Sequence, residues 1–200
     1  TDVAPSWSAA RAEEHLRDLN RATLWSVSVH EAYPSHFLHF RHQQRIERTL
    51  RKSTLFAPVS FIEGWAHYCE QMMVEEGLAK DNDRIELGQT AEVLLRLARM
   101  VVGIRLHTED MSVEQGVRFF QDEAHLEEGR ARREAERGTF DPAYVLDAAG
   151  RLMLRKLRAD VQAREGDFYG ERAEVQPHRL GGDGAECVDC GLYSSAPAHS

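Results

Sequence analysis

The chain has 200 residues, of which 42% are hydrophobic and 29% are charged, enough for one domain with a sizeable core. Its net charge of −8 argues against nucleic-acid binding, because a phosphate backbone is bound by a basic surface. Three Cys exclude a disulfide-rich scaffold, and no apolar run approaches the roughly 18 residues that a membrane span needs.

Helical periodicity dominates the sequence and alternating strand patterns are nearly absent, which predicts an all-α fold. The first half of the chain predicts helices over about 8–29, 37–51, 61–76 and 84–106. The helix over 84–106 has the clearest pattern, an apolar stripe typical of a buried face. The residues of this stripe are Ile85, Val93, Leu94, Leu97, Met100, Val101 and Ile104.

The second half of the chain continues with capped helices. Ser112, with Gln115 three residues later, predicts a capping box at the start of a helix. The segment 129–137 is densely charged, and we expect it to be solvated. Asp141 followed by Pro142 predicts the start of a further helix, with Asp as N-cap and Pro at the first helical position.

The composition changes near residue 170, after the last helical pattern has ended at about residue 164. Residues 170–200 are rich in Gly and Pro and have no helical period. We therefore expect a helical domain over 1–169 and a disordered tail over 170–200. A Cys-x-x-Cys pair in this tail, Cys187 and Cys190, lacks the four well-spaced ligands of a structural zinc knuckle.

The first ten residues carry no signal-peptide pattern, having neither a basic start nor an apolar stretch. This slightly favours a cytoplasmic location, although the chain also lacks an initiator Met and its location stays open.

The first motif whose residues could bind a metal or catalyse a reaction is HEAYPSH, residues 30–36. In the H-E-x-x-H pattern of zinc proteases, two His four residues apart share one helix face, and the Glu is the general base. A spacing of six turns the second His about 120° off that face, too far to share an ion. A bulge at Pro34-Ser35 would bring His36 back towards His30, since Pro lacks the helical N–H. The alternative is a helix end with solvent-facing His.

The second motif is EGWAHYCE, residues 63–70. Its Glu63, His67 and Glu70 lie at positions i, i+4 and i+7, and therefore on one helix face. Glu63 follows His36 by 27 residues, which fits a third zinc ligand from a second helix. The alternative is a polar stripe on a surface helix.

Together, HEAYPSHF and FIEGWAHYCEQMMVEEG resemble the bacterial domain-of-unknown-function family 885 (DUF885), whose signature reads HEAYPGHH and then EGWA-x-Y-x-E. The segments GIRLHT (103–108), GTFDPAY (138–144) and GRLM (150–153) are also similar to it. The resemblance covers roughly residues 20–169. It implies the C-terminal catalytic part of a longer zincin-like metallopeptidase domain, with a metal site between two packed helices.

The resemblance implies a role for each residue that matches the motifs. His30, His36 and Glu63 would be the ligands of a Zn²⁺ ion, and Glu31 would take a proton from the water that zinc activates. The implied function is a zinc-dependent hydrolase of peptide or related amide bonds, with a peptide or small amide as its substrate.

Three further residues match family segments on neighbouring helices. His107 and Tyr144 would stabilise the oxyanion of the transition state, and Arg105 would bind a substrate carboxylate. The alternatives are a structural ion pair for Arg105 and a packed core side chain for Tyr144.

The sequence departs from the family pattern at three positions, where Ser35 replaces Gly, Phe37 replaces His and Asp147 replaces a common Tyr. These changes favour the alternative of a catalytically inactive helical binding or structural domain that retains the metal motif. Because family members have a large helical region upstream, we also expect this chain alone to be weakly active. Uncovered apolar faces would then favour a homo-oligomer.

Overall fold

A computed structural model describes residues 3–165, apart from the side chains of Thr54, Pro142 and Glu165. Every candidate site residue lies in one compact unit of the chain, Thr1–Lys156. The described part is built from helices without strands, which confirms the predicted all-α fold. None of its helices is both long and apolar enough to cross a membrane. The predicted tail, 170–200, lies outside the described residues.

The described residues form nine α-helices and two short 3₁₀ helices. The α-helices are α1 (Ala9–Asp18), α2 (Arg21–Glu31), α3 (His36–Gln43), α4 (Thr49–Lys52), α5 (Val59–Glu75), α6 (Asp83–Thr108), α7 (Val113–Ala124), α8 (Glu128–Arg137) and α9 (Leu146–Glu165). The 3₁₀ helices are Thr54–Phe56 and Pro142–Val145.

Two of the predicted helices are interrupted in the structure. The helix predicted over 8–29 is split into α1 and α2 by Asn20, whose side chain accepts hydrogen bonds from the first backbone N–H groups of α2. The helix predicted over 37–51 is split into α3 and the single turn α4. The break at Asn20 follows from side-chain capping, which hydrophobic periodicity does not detect.

The caps predicted in the second half are present. The side chains of Ser112 and Gln115 each accept from the other's backbone N–H, forming the capping box of α7. Asp141 accepts from the backbone N–H of Ala143, although the element that it caps is a 3₁₀ helix leading into α9. Segment 129–137 is not fully solvated as predicted, because α8 buries Ala131 and Ala135 against the core.

The main core lies where α6, α7 and α8 meet. Its buried members are Leu95, Ala98, Val102, Val117, Phe120, Ala124, Ala131, Ala135 and Tyr144. The candidate site lies beside this core, where α2 packs against both α5 and α6.

The backbones of α5 and α9 approach each other closely at two glycines. A Cβ atom on Gly150 would lie 1.8 Å from the carbonyl oxygen of Ser60, and one on Gly64 would lie 2.5 Å from the backbone of Gly150. A side chain at either position would force the helices apart. This contact fixes α5 at the position of Glu63, which directly precedes Gly64.

Candidate metal centre

A break between two helices brings His36 back to His30. Helix α2 ends at Glu31, the chain turns through residues 32–35, and α3 begins at His36. The two imidazole rings have centroids 4.9 Å apart and lie nearly perpendicular, at 88°. The six-residue spacing is therefore accommodated by a new helix rather than by a bulge within one helix.

Ser35 stands where the family signature has Gly. Its φ is −78°, so the turn does not require the left-handed conformation that favours Gly at this position. The side chain is fully buried, and its hydroxyl donates to the carbonyl oxygen of Ala66 on α5 at 3.5 Å. The turn is thereby attached to the helix that carries Glu63.

Glu63 completes a group of three side chains with metal-ligating atoms. Its Oε2 lies 3.3 Å from Nε2 of His30 and 3.7 Å from Nε2 of His36. One ligand atom of each of the three residues lies within 4.8 Å of the others. Atoms at opposite ends of a tetrahedral edge around zinc are separated by about 3.4 Å when each lies about 2.1 Å from the ion. The three side chains therefore fit a single zinc ion with little movement.

The charges of the triad are arranged around His30. Burial alone would lower the pKa of His30, but hydrogen bonds to the carboxylates of Glu63 and Glu70 outweigh it and raise the pKa to about 9. Hydrogen bonds from His30 and His36 hold the pKa of Glu63 well below its usual range. At neutral pH and without metal, His30 is therefore protonated on both ring nitrogens and donates one N–H to each of two carboxylates, Nδ1–H to Glu70 and Nε2–H to Glu63.

This protonation predicts that metal binding depends on pH. A metal must displace the Nε2 proton of His30, so we expect affinity to rise about tenfold per pH unit between pH 7 and 9, as one proton is released. Calorimetric zinc titrations in buffers of different ionisation enthalpy would measure that proton. A zinc affinity independent of pH across this range would contradict the assigned state of His30.

Behind the triad, Glu70 holds the other nitrogen of His30. Nδ1 of His30 donates to Oε1 of Glu70 at 2.8 Å, and the hydroxyl of Ser26 donates to Oε2 at 2.7 Å. Burial would raise the pKa of Glu70, but the charge of Arg96 and the hydrogen bond from His30 hold it well below its usual range. An imidazole that donates to a buried carboxylate in this way presents its remaining nitrogen to a metal.

The sequence carried a signal for Glu70, because it lies on the same predicted helix face as Glu63, two turns further on. Between them lies His67, which is fully buried and has Nδ1 3.4 Å from Oε1 of Glu70. Sequence reasoning missed two residues of α6, Glu92 and Arg96, which are also buried at the site. Their positions in the sequence give no indication of this role.

The side chain of Glu31, unlike those of His30 and Glu63, has no polar partner among the described residues. It is exposed at the end of α2 and makes no hydrogen bond or ion pair with the described residues. Its carboxylate is therefore not held by another side chain of the described residues.

The other three predicted site residues have polar contacts away from the triad. Tyr144 is buried in the core and its hydroxyl donates to Oε2 of Glu134 at 2.8 Å. His107 donates from Nε2 to the carbonyl oxygen of Gly138 at 3.1 Å, and Arg105, whose side chain is 44% exposed, pairs with Glu109 at 2.9 Å. The catalytic roles of Tyr144 and His107 and the substrate-binding role of Arg105 stay predictions.

The sequence of the chain matches the model of a family of bacterial proteins of unknown function, DUF885, over residues 4–173. The chain belongs to the DUF885 family. This confirms the family that the HEAYPSH and EGWA motifs predict. No protein with a curated description matches the chain.

Two solved structures are similar to this DUF885 chain. A candidate lipoprotein of unknown function from Shewanella oneidensis shares 26% identity over 87% of the chain, with a TM-score of 0.73. A candidate lipoprotein from Colwellia psychrerythraea shares 28% identity over 74% of the chain, with a TM-score of 0.66. The DUF885 chain covers 32% and 25% of the lengths of these two proteins.

Proposed function

We propose that this DUF885 chain carries the zinc site of a zincin-like hydrolase that cleaves peptide or related amide bonds. The observation that carries the proposal is the convergence of His30, His36 and Glu63 from three helices. Glu31 directly follows His30 in the sequence and is exposed. The resemblance of HEAYPSH to the H-E motifs of zinc proteases supports the assignment of these residues as ligands and base.

The donor set favours catalytic zinc over a structural ion. Structural zinc sites have four protein ligands, whereas two imidazoles and one carboxylate leave a position open, as in hydrolytic enzymes. The same three donors also suit Fe(II). Hydrolysis also requires a base that removes a proton from water, and Glu31, which directly follows His30 in the sequence, is the candidate.

Metal binding and proton transfer are assigned to different residues of the chain. His30, His36 and Glu63 would hold the ion, which when bound polarises a carbonyl group and lowers the pKa of a water towards 7. Glu31 accepts the proton of the attacking water on a carboxylate oxygen and returns it to the leaving amine. Glu63 has a third of its side chain exposed, so the triad is open to solvent and to a substrate on one side.

The proposal predicts hydrolysis that depends on the metal. We expect the zinc-loaded chain to cleave members of a mixture of short peptides, to lose this activity on treatment with a chelator, and to regain it with added zinc. Mass spectrometry after long incubation is the measurement, since we expect this chain alone to be weakly active. Stoichiometric zinc without cleavage of any peptide would instead favour the inactive binding or structural domain.

A further inference from the structure

A buried cluster of charges lies directly behind the metal triad, with Arg96 at its centre. The side chain of Arg96 is 9% exposed and approaches three carboxylates from different helices. Its Nη1 lies 2.8 Å from Glu92 on α6, its Nη2 lies 3.2 Å from Glu70 on α5, and its Nε lies 3.5 Å from Asp147 on α9. The guanidinium thereby joins the helix that carries Glu63 to two others.

The same guanidinium also reaches the metal ligand. Nη2 of Arg96 lies 3.3 Å from Nδ1 of His30, and both atoms lie next to Oε1 of Glu70. Because Nδ1 donates its proton to Glu70, the approach of Arg96 to Nδ1 is a close contact and not a second hydrogen bond. Guanidinium, carboxylate and imidazole therefore meet at one oxygen atom.

The buried charges of Glu70 and Arg96 stabilise each other. A carboxylate as deeply buried as that of Glu70 stays ionised only where opposite charge and hydrogen bonds replace water. The planar guanidinium offers five donors in a fixed fork, so it can hold several carboxylates at set angles, whereas the ammonium of a lysine is a point charge. The orientation of Glu70 is thus set by Arg96 on one side and by Ser26 on the other.

We propose that Arg96 is a positioning residue of the metal centre: it holds Glu70 against Nδ1 of His30, so that Nε2 of His30 faces the metal. Glu92 and Asp147 in turn hold Arg96. The inference rests on the proposed metal site, which it deepens by assigning the residues that orient a ligand.

This assignment gives Asp147 a role. In the family pattern this position is commonly Tyr, and a carboxylate near the reacting carbonyl would repel its developing charge. In the structure, Asp147 faces the guanidinium of Arg96, so its charge is compensated within the cluster. Glu92 extends the cluster to α8, where Nη2 of Arg130 lies 3.5 Å from its second oxygen.

The test compares two arginines of α6. Arg96→Lys keeps the positive charge but loses the planar guanidinium with its several N–H donors. We expect zinc affinity to fall about 10- to 100-fold, as is typical when a residue that orients a metal ligand is replaced. Arg99→Lys is the matched control, because the side chain of Arg99 is only 15% exposed and makes a bidentate pair, with Glu134 rather than with Glu70. Its zinc affinity should stay within about twofold of that of the wild type. Competition with a chromophoric chelator measures the zinc affinity of the wild type, Arg96→Lys and Arg99→Lys.

A second readout needs no metal. In zinc-free protein labelled with ¹⁵N-histidine, the Nδ1–H of His30 should give a downfield, slowly exchanging NMR signal because it is held by Glu70. We expect Arg96→Lys to broaden or lose this signal and Arg99→Lys to retain it. If the wild type binds no zinc, the proposed function fails while this signal still tests Arg96.

The inference is overturned if folded Arg96→Lys keeps both the zinc affinity and the His30 signal of the wild type. Should Arg96→Lys not fold, Glu92→Gln takes its place, since it removes the shortest ion pair of Arg96 without touching His30. We then expect a severalfold loss of zinc affinity and a broadened His30 signal. Wild-type values for both in Glu92→Gln would equally overturn the inference.

Discussion

Replacing Glu31 by Gln is expected to abolish hydrolysis while leaving zinc in place. Gln has the size and hydrogen-bonding reach of Glu but cannot accept a proton from water at neutral pH. General-base catalysis contributes about 10²- to 10⁴-fold to a reaction rate. We therefore expect kcat to fall by at least about 100-fold. Because Glu31 makes no hydrogen bond or ion pair with the described residues, the substitution should change neither the fold nor the zinc affinity.

Peptide cleavage and zinc content, measured on the same preparation, check this prediction. Glu47→Gln is a matched control, because Glu47 is also exposed and lies in the turn after α3, outside the motif. It should retain both activity and zinc. Near-complete activity in zinc-loaded Glu31→Gln would refute the assigned base, and loss of zinc from it would mean that Glu31 is a ligand.

The grouping of His30, His36 and Glu63 was predicted from the family motifs, and helix geometry added the relation between Glu63 and Glu70. On α5, Glu63 and Glu70 are two turns apart on one face, and in the structure both reach His30. The path of the chain between His30 and His36 was less predictable. Proline indicated an interruption, but whether the helix bulges or ends depends on contacts with α5, such as that of Ser35.

The orientation of α6 could not be predicted from its apolar stripe. Two stripe residues, Val101 and Ile104, are 38% and 43% exposed, whereas the charged Glu92 and Arg96 are buried. Burial of charge is favourable here only because carboxylates and guanidinium groups from other helices meet at this point. Periodicity assigns the buried face by hydrophobicity, and it therefore fails where a polar network holds the helices together.

Family resemblance predicts which residue types matter, but not which partners these residues contact in this chain. Tyr144 and Arg105 match family segments, yet the structure gives Tyr144 a core hydrogen bond to Glu134 and Arg105 a surface ion pair with Glu109. Both correspond to the structural alternatives that the sequence left open. Which partner a polar side chain takes depends on the helices packed around it, and α6 and α8 supply those partners for Tyr144 and its neighbours.

Loss of Glu63 is expected to have the largest effect on metal binding. It is the carboxylate that both His30 and His36 approach, and its removal would leave two imidazoles and no negative charge among the assigned ligands. Mutation of residues that only orient a metal ligand lowers metal affinity about 10- to 100-fold. Removal of a ligand itself should therefore lower zinc affinity by more than about 100-fold. The substitution Glu63→Ala leaves the adjoining glycine contact with α9 intact.

Zinc titration of the wild type beside Glu63→Ala therefore tests the metal centre most directly. Glu76→Ala serves as control, since Glu76 is exposed at the far end of α5. We expect one zinc per chain in the wild type and in Glu76→Ala, and a loss of affinity beyond about 100-fold in Glu63→Ala. A wild type that takes up no metal, or a Glu63→Ala variant that binds zinc as tightly as the wild type, would contradict the assignment of His30, His36 and Glu63 as a metal site.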